Sequence, residues 1–120
     1  MIVELSEMAS DTMLDGLAAL MDGGSIEIGS ADGKSLAVLK LASPAALVAG
    51  GVLDFNPIGE EDAALAQGQA TRAHIRTAGG QLILECDVGD MASDAVIKLN
   101  TTQIYRGGPV RIRSFTLAMP

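Results

Sequence analysis

The sequence predicts a mainly β domain, a β-sandwich or jelly roll of about seven strands with one N-terminal α-helix packed across it. Three observations carry that prediction. Apolar residues recur at the helical period only once, before residue 24, and from there the alternation runs at a period of two. The alternating runs are short, and the intervals between them are rich in Gly, Pro and Asn. The apolar share is 48%, yet the only aromatic side chains are Phe55, Tyr105 and Phe115, so the core has to be built from Leu, Ile, Val, Met and Ala. A chain of 120 residues suits one domain, 1–120, and a chain of this size buries roughly two-thirds of its unfolded surface.

The helix is expected near residues 10–22, "SDTMLDGLAALMD". At ~100° per residue, Met13, Leu14, Leu17, Leu20 and Met21 fall within one third of the wheel, with Asp11, Asp15 and Asp22 opposite. Ser10 is the expected cap, Asp11 suits the positive end of the dipole, and Gly23-Gly24 supplies a left-handed stop. The Met and Leu stripe reads as a face packed on a sheet, with a partner-binding face as the other reading. Strands follow at 25–29, 35–42, 51–55, 68–77, 81–88, 95–100 and 110–118. "SPAALVAGG" reads as a loop, and "GEEDAALAQG" as a loop or a short helical turn.

The sharpest local expectation is a hairpin. "QATRAHIRTA" and "QLILECDV" flank Gly79-Gly80, a dipeptide suited to the positive φ of a two-residue turn. That turn pairs Ala78 with Gln81. It sets Ile75 opposite Leu84 and Ala73 opposite Cys86 on one face, and His74 opposite Glu85 and Arg72 opposite Asp87 on the other. A slip of one residue would break both the apolar and the charged pairings.

The chemistry-bearing patterns are sparse. "GSADGKS" (29–35) has three residues between its glycines where a phosphate-binding P-loop has four, and a strand follows it where a helix should. It therefore reads as hairpin turn chemistry. His74 is the sole histidine. Glu85 could orient it, but no Ser or Cys is expected on the same face, so a cross-strand charge pair is the simpler account. Cys86 sits in the alternation of Leu82, Leu84 and Val88 and reads as a small core residue. One cysteine makes neither an internal disulfide nor a zinc site and suits a reducing compartment. Acidic oxygens cluster at Glu60, Glu61 and Asp62 and at Asp87, Asp90 and Asp94, without the spacing of an EF-hand. Solvated loop acids are the default, with an intersubunit cation site as the alternative. No HExxH, GxSxG, CxxC or GxGxxG pattern occurs. The expectation is a protein that is not an enzyme, with no cofactor.

The formal charge is −7, and it is unevenly spread: residues 1–62 carry eleven acids and two lysines, while 63–120 carry four acids and six bases. An acidic balance argues against general nucleic-acid binding. No window holds ~18 consecutive apolar residues, so no membrane span is expected. "MIVELSEMAS" lacks the basic region of a secretory signal. The asymmetry suits a dipolar surface that meets a copy of itself or a partner, or else ordinary solvated charge.

Several stretches, in order, resemble a family of small bacteriophage virion proteins. These are the helix ending in "DGG" ("MLDGLAALMDGGSIEI"), "GKSLAVLKLASPA" (33–45) and "GQATRAHIRTAGG". The fourth is "SDAVIKLNTTQIYRGGPVRIRSFTLAMP", which is similar to the family's "aDLxLNxTxIxxGxxVxVxSFTxxxP" closure. Where family members often carry aromatic residues, this chain has Arg72 and Ala73. The resemblance implies a non-enzymatic virion component: a capsid decoration or cement protein, or a tail, neck or fibre-associated protein. It implies partners among the major capsid protein and other virion proteins, a homo-oligomer such as a trimer, and a place in the virion after assembly in the host bacterial cytoplasm. A stand-alone binding module is the competing class.

The last strand bears on that reading. Val110 and Ile112 alternate with Arg111 and Arg113, but Phe115, Leu117 and Met119 stand on the arginine parity. A β-bulge near Ser114 would return all five apolar residues to one face and leave both arginines outward. The candidate interface residues are Arg111 and Arg113, Arg72 and Arg76 on the hairpin, and the acidic run Glu60, Glu61 and Asp62. The plain alternative for the strand is a solvated edge protected by its charges.

Overall fold

A computed structural model describes residues 6–56, 58–59 and 63–118. The chain begins with α1 (Glu7–Met21). Its cap is Ser6, whose Oγ accepts the Ala9 N–H at 3.1 Å, so Ser10 falls inside the helix and is not the cap. The helix starts earlier than its apolar periodicity because a first turn needs a capping oxygen, and no apolar face. Gly23 has φ 68° and ends it, as expected.

Among the described residues ten strands follow: β1 (Ser25–Gly29), β2 (Ser35–Lys40), β3 (Ala46–Ala49), β4 (Val52–Phe55), β5 (Gly68–Gln69), β6 (Arg72–Arg76), β7 (Leu82–Gly89), β8 (Ile97–Leu99), β9 (Gln103–Ile104) and β10 (Ile112–Ala118). The fold is mainly β with one helix, built on a curled eight-stranded sheet in the order β2-β1-β6-β7-β8-β10-β4-β3, with β5 and β9 forming a separate pair. Every neighbouring pair in the sheet is antiparallel except β7 and β8, which run parallel through Val88–Ile97 and Gly89–Lys98. The curl lets Ile26, Ile28, Leu36 and Ile75 from one end share a core with Ile97, Leu99 and Phe115 from the other. A smaller cluster under the helix joins Leu14 and Ala18 to Ala46 and Leu53. Leu17, Phe55 and Leu117 pack against both clusters. Phe55 stacks on Phe115 with centroids 3.8 Å apart.

The helix buries Leu14, Ala18 and Met21 and half-buries Leu17, whereas Met13 and Leu20 stay exposed at 54% and 56%. The buried stripe is rotated toward Ala18 because α1 packs on β3 and β4, at one end of the sheet. The segment read as a loop, "SPAALVAGG", contains β3. It pairs with β4 through Ala49–Val52, which leaves Gly50-Gly51 as a two-residue turn with both φ positive, 61° and 76°. That is the type I′ pattern. Gly79-Gly80, expected to do the same, does not.

There the turn spans Thr77 to Gly80. The Gly80 N–H donates to Thr77 O, the Thr77 N–H donates to Gln81 O, and only Gly80 has positive φ, 89°. Thr77 therefore faces Gln81, not Ala78. The strand register survives because a bulge at Ile83 offsets the longer turn: Arg76 pairs with Leu82, and Ile75 then pairs with Leu84. Beyond the bulge, Ala73–Cys86, His74–Glu85 and Arg72–Asp87 stand as expected. "GSADGKS" is the β1–β2 turn, closed by Ser30 N–H to Lys34 O with Gly33 at φ 87°.

Candidate interaction surfaces

β6 is flanked by β1 and β7, and its pleat sends Ala73 and Ile75 into the core. Arg72, His74 and Arg76 stand on the other face, where both neighbours offer a carboxylate. Arg76 Nη1 lies 2.9 Å from Glu27 Oε1 on β1, and Arg72 Nη1 lies 2.7 Å from Glu85 Oε1 on β7. His74 Nε2 is 3.5 Å from Glu85 Oε2. The Arg72 bond is diagonal, because Asp87, directly opposite, accepts the Val96 N–H instead. The Arg76 guanidinium beside Glu27 holds that carboxyl below its ordinary range, against a smaller opposing push from burial. Arg72 and Arg76 thus have carboxylate partners within the chain. Behind this face, burial pushes the Cys86 thiol up to about 12, with Asp87 and Glu85 adding to it, so the sulfur is a poor nucleophile.

The second surface is on β10. The pairs Ile112–Leu99, Ser114–Lys98 and Phe115–Ile97 leave Arg113 as the extra residue of a β-bulge, at the place the parity change implied. Val110 and Phe115 are buried, and Ile112 and Leu117 pack against the core as expected. Met119 lies outside the described residues. Arg113 is exposed and Arg111 half-buried. The Arg111 N–H donates to Asn100 Oδ1 at 3.1 Å, tying this segment to the end of β8. Just past the bulge β10 begins to pair with β4, at Thr116–Asp54. An open cleft of about 330 Å³ lies in this corner, lined by Asp54, Asn56, Arg113 and Ser114 over Phe55 and Phe115. Strands β7 and β8 separate β6 from β10, so the two arginine pairs do not share one site.

No protein-family model, curated protein or solved structure matches this chain. The surfaces therefore speak through their own chemistry.

Glu60, Glu61 and Asp62 lie outside the described residues. In the other acidic run, Asp90 Oδ1 accepts the Ala92 N–H and shapes the β7–β8 connection. Among the described residues no group of three His, Cys, Asp or Glu side chains converges as a metal site. Among the same residues no helix is long and apolar enough to cross a membrane. Sequence reasoning missed the edge of the sheet at β3, where Leu47 is 66% exposed. The signal was present in "ALVAGGVLDF", two short apolar runs around a Gly-Gly.

Proposed function

We propose that this chain is a non-enzymatic structural protein of a bacteriophage virion, a capsid decoration or cement protein that binds the head shell and stabilises it. In this reading the two four-stranded halves of the curled sheet act as the layers of a jelly-roll-like sandwich, and the protein works as a homo-oligomer on a repeated lattice. Its partners are the major capsid protein and neighbouring copies. The order of motifs along the sequence supports it.

The observation that carries the reading is the bulge at Arg113. It keeps Ile112 and Phe115 in contact with the core while presenting a guanidinium on the surface. An outward arginine is suited to bidentate contact with a carboxylate of a neighbouring subunit or of the shell. The test replaces Arg111 and Arg113 together by Ser and measures capsid occupancy against salt. Loss of about 2–5 kcal/mol of association is expected if the pair is buried against carboxylates. Unchanged occupancy with unchanged salt dependence would reduce this strand to a protected surface and overturn the reading of the site.

A further inference from the structure

The two outer strands of the main sheet are treated differently. At β2 the free edge is occupied from within the chain: Leu36 O accepts the Leu65 N–H at 2.8 Å, and Lys40 O accepts the Gly59 N–H at 2.9 Å. At β3 it is not. The two-residue turn makes Ala49–Val52 a hydrogen-bonded pair, so Leu47–Asp54 is another, and Ala46 and Val48 turn their main-chain groups away from β4. Among the described residues nothing bonds to those outward groups. The strand "ALVA" carries neither charge nor Pro, the usual protections of an edge, and its outward face shows Leu47.

The charged side chains of the elements that form this edge are all of one sign. Asp22 Oδ1 accepts the Ala45 N–H at 2.8 Å and Asp11 Oδ1 accepts the Gly51 N–H at 2.7 Å, so two helix carboxylates bracket the strand. Asp15 and Asp54 are exposed nearby, and α1, β3 and β4 contain no Lys, Arg or His. We infer that β3 is a docking edge for an extended segment of a partner protein, apolar at its centre and flanked by Lys or Arg. The segment adds a strand, taking its main-chain bonds from Ala46 and Val48 and placing an apolar side chain on Leu47. The aspartates attract its basic flanks and repel a second β3, whose own aspartates would meet them across a two-fold axis. The charge absent from the edge strand is supplied by the helix. The inference rests on the β3 edge alone and stands or falls apart from the lattice reading.

The probe is the synthetic peptide KKVTVTVKK, added to the whole protein and followed by amide-resolved NMR and hydrogen exchange. The Ala46 and Val48 amides are expected to shift and gain protection, and high salt to weaken binding. The acidic peptide EEVTVTVEE is expected not to bind. Leu47→Lys, on an exposed position that leaves the fold intact by its unchanged spectrum, is expected to weaken the basic peptide by about tenfold or more. Absence of binding at millimolar peptide, or shifts centred elsewhere on the molecule, overturns the inference. So does a concentration-dependent dimer in sedimentation that Leu47→Lys abolishes, since β3 would then pair with itself.

Discussion

Glu27 and Arg76 hold each other across β1 and β6, and the guanidinium lowers the Glu27 pKa from its ordinary 4.5. A carboxyl depressed in the folded state contributes stability above its unfolded pKa and loses it as pH falls through the folded value. Glu27→Gln should therefore destabilise the protein at neutral pH by about 0–1 kcal/mol, as a partly exposed pair allows. The difference from the parent should vanish in acid below the ordinary carboxylate range. Urea melts at both pH values check this, and an equal loss at low pH would assign the effect to packing. Two glycines test the backbone in opposite directions. A Cβ on Gly24 would collide with the carbonyl oxygens of Arg76 and Met21, so Gly24→Ala should cost about 1–3 kcal/mol. A Cβ on Gly16 meets nothing within 4 Å, so Gly16→Ala in mid-helix should gain about 0.5–1 kcal/mol.

The two Gly-Gly hairpins separate at the level of the element. Gly50-Gly51 needs positive φ at both positions, whereas at 79–80 only Gly80 does. Gly80→Ala should cost about 1–2 kcal/mol, and Gly79→Ala, whose Cβ would stand an ordinary 3.7 Å from Thr77 Oγ1, should change stability by less than about 0.5 kcal/mol. Equal, large losses at both would mean a two-residue turn there after all. Much of this hairpin was legible in the sequence because side-chain alternation specifies which residues face each other. The turn was not, because a Gly-Gly permits several turns, and the bulge at Ile83 offsets the longer one, so that the strand pairing does not reveal it. The bulge at Arg113 was legible for the same reason: an alternation that changes parity has to spend one residue. β3 was hidden because short strands of Ala, Leu and Val share their composition with apolar loops, and its edge is defined by where the sheet stops, which no local pattern records. Among the candidate residues, Arg72 and Arg76 were legible as charged-face residues, but the Glu27 partner of Arg76 depends on β1 lying beside β6, and the diagonal Glu85 partner of Arg72 on Asp87 being engaged by the Val96 N–H.

At the scale of the whole molecule, Phe55 joins the two apolar clusters and stacks on Phe115. Phe55→Ala, at a half-buried position, should cost about 2–3 kcal/mol by removing the contact between them, and calorimetry should show the helix and sheet melting together. Separate transitions would mean that the clusters are independent. The parallel β7–β8 contact divides the sheet into two antiparallel leaves, β2-β1-β6-β7 and β8-β10-β4-β3. The chain passes between the leaves at β2 to β3, at β4 to β6 and at β7 to β8. The strand that comes last in sequence, β10, lies between β8 and β4. A nascent chain emerging from a ribosome would thus carry a finished β3–β4 hairpin with no sheet to join until residues 112–118 had cleared the exit tunnel. Folding of this half is thereby deferred until β10 has been made, and the order of translation, which favours the early strands elsewhere, works against them here.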